Sequence, residues 1–143
     1  MSLKAFAARI FAKRIAQKTK KWVAHPHETQ ERVFQHLVAS AKHTQFGQDH
    51  GFAEIHTYVD FSQKVPVRDY EELKGYIGSI IEGDEDVLWP GKPIYFAKTS
   101  GTTSGAKYIP ITKESIKHQV EASRNAILNY IHETGNAEFV DGK

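Results

Sequence analysis

The stretch FAKTSGTTSGAKYIPIT, Phe96 to Thr112, decides how the chain is read. The apolar run from Ile94 to Ala97 predicts one short strand and Tyr108 to Ile111 a second, which Pro110 confines to a sheet edge or a strand end. Thr112 stands where a helix N-cap belongs. After it, Ile116, Val120, Ser123, Ile127, Tyr130 and Ile131 recur at helical spacing and predict an inward stripe. The order is strand, loop, strand, helix. The loop consists of Thr99, Ser100, Gly101, Thr102, Thr103, Ser104, Gly105, Ala106 and Lys107, so that five hydroxyls, two glycines and a lysine fall within nine residues.

Such a loop suits a polyphosphate. Phosphate oxygens need convergent backbone N–H groups, hydroxyl donors and a cation to offset their charge. Glycine lets the backbone approach the ligand without a side-chain clash, and lysine is a mobile point charge. The nucleotide P-loop, G-x-x-x-x-G-K-[ST], is excluded. Only three residues separate Gly101 from Gly105, Ala106 precedes Lys107, and Tyr108 replaces the hydroxyl that would hold magnesium. Serine, threonine and glycine are also what a flexible hairpin loop contains, and composition alone does not separate the two readings.

Working outward, Asp69 and Glu72 form a capping-box pattern. Tyr70, Leu73, Ile77, Ile80 and Ile81 follow at helical spacing, and Gly83 serves as a stop. Trp89-Pro90-Gly91 reads as a tight turn feeding the first strand. From Gln48 to Arg68 the periodicity fails, with Gly51 and Pro66 as breakers, and the segment reads as an extended connection. A helix is expected from about Glu28, with Val33, Phe34, Leu37, Val38 and Ala41 on one side and Gly47 near its end. His25-Pro26 reads as a break before it. The first segment reads as a basic amphipathic helix. Leu3, Phe6, Ala7, Ile10 and Phe11 form its apolar stripe among Lys4, Arg9, Lys13, Arg14, Lys18, Lys20 and Lys21. The expectation is a mostly helical chain of about four helices with one short hairpin. Residues 1–24 form the basic helix, 28–92 a helical scaffold, 93–112 the strand-loop-strand motif and 113–134 the last helix.

Composition narrows the function classes. The chain has 143 residues, 40% hydrophobic and 25% charged, which is ordinary for a globular domain. With no cysteine there is neither a disulfide framework nor a thiolate nucleophile, in keeping with a cytoplasmic setting. No apolar run reaches the roughly 18 residues of a membrane span. The formal charge of +2 hides an asymmetry, because beyond residue 27 there are 12 basic against 17 acidic residues. The basic character thus belongs to the first helix, whose apolar stripe is expected to pack on the rest of the protein. Three adjacent carboxylates, Asp84, Glu85 and Asp86, read as a solvated turn and not as a metal site. The eight histidines are scattered and offer no third ligand at useful spacing. No metal site and no nucleic-acid partner are expected.

The order of residues in T-S-G-T-T, followed by a lysine between two strands, resembles the phosphate loop of adenylate-forming enzymes, [ST]-S-G-[ST]-[ST]-G-x-P-K. Ser104 stands at the usual glycine and Ala106 at the usual proline, departures that set the chain apart from acyl-CoA synthetases and luciferases. It more closely resembles the auxin-responsive promoter family of acyl acid-amido synthetases, bacterial members included. That resemblance is carried by KVPVRDYEELKGYI at Lys64 to Ile77, by Ile81-Glu82-Gly83 and by FAKTSGTTSGAKYIPIT.

The resemblance implies an α/β fold overall and ATP-dependent activation of a carboxylic acid as an acyl adenylate, captured by an amino acid or another amine. It further implies ATP and Mg2+ as cofactors. Thr99, Ser100, Gly101, Thr102, Thr103, Ser104, Gly105 and Lys107 would line the phosphate site, with Lys107 as its catalytic cation. Members of the family are several times longer, so the chain is expected to be an N-terminal fragment, inactive alone and prone to self-association through faces that lack their usual partners. The alternative is a non-catalytic helical module that docks on an anionic membrane or an acidic partner through its first helix.

Overall fold

The end signals of two helices act as the sequence predicts. In the computed structural model, which describes residues 2–100 and 105–142, α5 runs Tyr70–Glu82. Asp69 accepts the Glu72 N–H at 3.0 Å and Glu72 accepts the Asp69 N–H at 2.9 Å, closing a capping box. Gly83 ends the helix at φ 110°, a left-handed conformation that glycine adopts without a Cβ penalty. Helix α6 spans Lys113–Thr134, and Thr112 accepts the Ser115 N–H at 3.1 Å while Ser115 accepts the Thr112 N–H at 3.0 Å.

The region before α5 departs from the sequence reading. Pro26 does not interrupt structure but opens α2, Pro26–Ala41, as its first residue, where a missing N–H costs nothing. Helix α2 ends at Ala41, and Gly47 lies inside a separate short helix, α3, Gln45–Asp49. The segment read as an extended connection instead carries a 3-10 turn at Phe52–Glu54 and helix α4, Tyr58–Lys64. Helix α4 is held by its own capping box, Thr57 with Asp60. Both extra helices are two turns or shorter, so no stripe recurs often enough for periodicity to expose them. The described residues therefore hold six α-helices and a two-stranded hairpin in place of about four helices.

The chain divides into two compact units, Met1–Thr29 with Ile116–Lys143, and Gln30–Ser115, with boundaries inside α2 and α6. In the first unit, α1 spans Leu3–Ala24 and is N-capped by Ser2, which accepts the Ala5 N–H and bonds Asp141. Its buried face is not the predicted stripe. Ala5, Ala12 and Ala16 are buried, and the cluster around Ala5 and Ala12 includes Leu128 and Ile131 of α6 with Ala137 and Val140 beyond it. Leu3, Phe6, Ile10 and Phe11 are at least half exposed. The helix carries a second stripe of small residues, Ala5, Ala8, Ala12 and Ala16, along which it packs closely, and Arg9 donates to the Gly135 carbonyl at 2.8 Å. On α6 only Ile131 of the predicted stripe is fully buried; Val120, Ile127 and Tyr130 are exposed.

The second unit has two apolar clusters. Val38, Ala41, Phe52 and Ile55 form one with the rings of Phe34, Phe46 and Phe61 around them. Ile77 and Ile80 of α5 form the other with Val87, against which Tyr70, Tyr76 and Phe96 pack. The acidic turn ties the unit together: Asp86 accepts the Gly91 N–H at 2.6 Å through its side chain and the Gln45 N–H at 2.8 Å through its carbonyl, while Glu85 pairs with Lys92 at 3.3 Å. Strand β1, Tyr95–Thr99, pairs antiparallel with β2, Lys107–Ile111, and the register closes on Thr99 opposite Lys107. Each strand is shifted slightly from its predicted position. The hairpin is mounted on α5 through Phe96 and β2.

Candidate functional site

The hairpin register brings the two ends of the candidate loop together. Thr99 closes β1 and Lys107 opens β2 as cross-strand partners, so their side chains share one face. Ser100 follows Thr99 and is exposed, as are Gly105 and Ala106 on the returning side. Gly105 sits at φ 82°, left-handed backbone that a side chain would strain, and among the described residues no atom lies within 4 Å of where a Cβ would stand. Glycine is therefore required here by conformation and leaves open space beside the backbone. Gly101, Thr102, Thr103 and Ser104 lie outside the described residues.

The cation of the loop is anchored by a residue that the sequence reading assigned only to a helix stripe. Tyr70, the first residue of α5, accepts the Tyr108 N–H at 2.9 Å through its phenol oxygen. The Lys107 ammonium stands 5.3 Å from the centre of the same ring. On the opposite face Lys98 lies 5.9 Å from the Tyr108 ring, which in turn meets Phe96 edge to face. Lys98 was also missed. Its only sequence signal is its strand position, one residue before Thr99, and its cross-strand neighbour is known only once the register is.

The described residues thus place the Lys107 cation, the exposed Thr99 and Ser100 hydroxyls and the left-handed Gly105 backbone at the loop end of the hairpin. Among the described residues no three of His, Cys, Asp and Glu come close enough to hold a metal ion. An apolar hollow of about 170 Å³, lined by Ile80, Val87, Trp89 and Pro110, lies toward the other end of β2 from Lys107. It is smaller than the roughly 300 Å³ at which ligand pockets begin. His50, buried against Phe46, donates through Nδ1 to the Phe46 carbonyl at 2.8 Å and accepts from Arg68 at Nε2 at 3.2 Å, which makes it a packing histidine. No helix among the described residues is long and apolar enough to cross a membrane.

A two-stranded hairpin braced by a capped helix carries the polar, glycine-bearing segment between its strands. The sequence profile of the GH3 family N-terminal domain matches residues 15–140. The chain belongs to the GH3 family. It is 37% identical over 82 residues to indole-3-acetic acid-amido synthetase GH3.15 of Arabidopsis thaliana, a match covering 55% of this chain and 14% of that protein. It is 41% identical over 58 residues to probable indole-3-acetic acid-amido synthetase GH3.13 of Oryza sativa subsp. japonica, covering 39% of this chain and 12% of that protein. The matched stretch is thus less than one-sixth of either relative's length.

Proposed function

We propose that the complete protein uses ATP to activate a carboxylic acid as its acyl adenylate and then joins the acyl group to an amino acid or another amine. This chain would form the N-terminal part of the large adenylate-forming domain, whose overall fold is α/β. The observation that carries the reading is Lys107, held where β2 follows a hydroxyl-rich segment, in a member of a family whose named relatives are amido synthetases. ATP supplies the α-phosphorus that the substrate carboxylate attacks, with pyrophosphate as leaving group. Lys107 would offset the charge that grows on the departing β- and γ-phosphates. The hydroxyls of Thr99, Ser100, Thr102, Thr103 and Ser104 would donate to phosphate oxygens, and Gly101 and Gly105 would admit the close approach. Mg2+ would accompany the ATP and supply further neutralisation of its phosphate charge.

The complete protein should exchange labelled pyrophosphate into ATP only when its acid is supplied. Absence of exchange across a broad acid panel would refute the reading. A second reading has its own observation: α1 directs Leu3, Phe6, Ile10 and Phe11 outward and carries basic residues without a single acid. If that face docks on an anionic membrane, salt-sensitive binding to vesicles containing acidic lipid should be lost on Lys13→Glu with Lys18→Glu. Undiminished or absent binding sinks it.

A further inference from the structure

We propose that Tyr70 is a positioning residue that presets Lys107 for the phosphates, gripping both its ammonium and the strand that carries it. The inference rests on the adenylation reading of the same loop. In an antiparallel pair, alternate N–H groups of the outer strand point away from their partner and are left open. Tyr108 presents such a group on β2, and the Tyr70 hydroxyl accepts it at 2.9 Å. One residue earlier, the Lys107 ammonium stands 5.3 Å from the Tyr70 ring centre. A single side chain therefore fixes residue 107 by its head group and residue 108 by its backbone.

Tyr70 is itself well placed to hold still. It is the first residue of α5, directly after the Asp69 cap, and it is half-buried against the Ile77, Ile80 and Val87 cluster. Lysine has a long flexible stem, and ordering it at the moment of binding is costly. The ring orders the ammonium beforehand by an attraction weak enough to be exchanged for phosphate. A carboxylate in the same place would instead compete with the ligand, and none of the ion pairs among the described residues involves Lys107. Tyr70 thus gains a role beyond starting a helix.

The test is a double-mutant cycle on acid-dependent pyrophosphate exchange by the complete protein. Lys107→Ala should lower kcat about 100-fold, the scale of one lost transition-state donor. Tyr70→Leu should lower it about 10-fold with the KM for the acid unchanged, and Tyr70→Phe, which keeps the ring, only about 3-fold. In the Lys107→Ala background, Tyr70→Leu should cost less than a further factor of about 2. A full 10-fold loss in that background, or wild-type kcat in Tyr70→Leu, overturns the proposal and leaves the adenylation reading intact. If Tyr70→Leu melts early, the Tyr70→Phe cycle decides in its place. A wild-type protein that exchanges no pyrophosphate with any acid overturns both.

Discussion

Among the described residues three glycines lie inside helices, and replacing each with alanine should give opposite signs. Gly75 and Gly78 are in α5, and a Cβ on either meets nothing within 4 Å. Alanine there gains helix propensity and loses backbone entropy in the unfolded chain, worth about 0.5 to 1 kcal/mol at each site. Gly47 is in α3 and has no left-handed φ, so it is owed the same gain. Its Cβ, however, would stand 2.1 Å from the Ala41 carbonyl oxygen and 3.1 Å from the Lys42 carbonyl carbon. Both obstacles are backbone.

That approach is locked from the other side. Thr44, almost fully buried, donates its hydroxyl to Ala41 O at 2.7 Å and accepts the Gly47 N–H at 3.0 Å. Moving α3 away far enough for a methyl group disturbs both bonds. Overpacking costs about 1 to 3 kcal/mol, and disturbed hydrogen bonds add about 1 each. After the propensity gain, Gly47→Ala should lose about 2 to 4 kcal/mol. At a urea m-value of about 2 kcal/mol/M the midpoint falls by at least about 1 M, while Gly75→Ala and Gly78→Ala each raise it by a few tenths. Urea unfolding followed by far-UV circular dichroism reads all three. A Gly47→Ala midpoint at or above wild type would refute the packing argument, and a Gly75→Ala loss above about 1 kcal/mol would refute the open environment of α5.

Other expectations follow from the same structure. Thr44→Val keeps the shape and removes both hydroxyl bonds, so it should destabilise by about 1 to 3 kcal/mol in the same urea assay; a neutral change would contradict the buried cap. Ala12→Leu, on the buried face of α1, should cost about 1 to 3 kcal/mol, more than Phe11→Ala on the exposed face. The reverse order in thermal melts would restore the stripe that the sequence suggests. The Asp60 carboxyl is held below its ordinary value by the backbone N–H groups of His56 and Thr57. A depressed folded value means that this contribution is present above the unfolded value and is lost as pH falls through the folded one. Asp60→Asn should therefore flatten the acid limb of stability against pH below about pH 4. An unchanged acid limb would show that the cap carries no linkage.

Much of this molecule is legible along the chain. The Asp69/Glu72 box, the Gly83 stop and the Thr112 cap are local signals, satisfied by atoms three or four residues away, and each starts or stops a helix where the sequence alone says it should. The order of residues from Thr99 to Lys107 and its neighbours likewise pointed to the family without any contact in view. What the sequence left open depends on distant partners. Periodicity marked one apolar stripe on α1, Leu3, Phe6, Ala7, Ile10 and Phe11, and its larger residues drew the inward assignment. The alanine stripe is the one that meets Leu128 and Ile131, because small side chains let those residues close in. Tyr70 and Lys107 are 37 positions apart, on a helix and a strand, and no local rule joins them. Only the mounting of the hairpin on α5 brings that ring within 5.3 Å of the lysine ammonium.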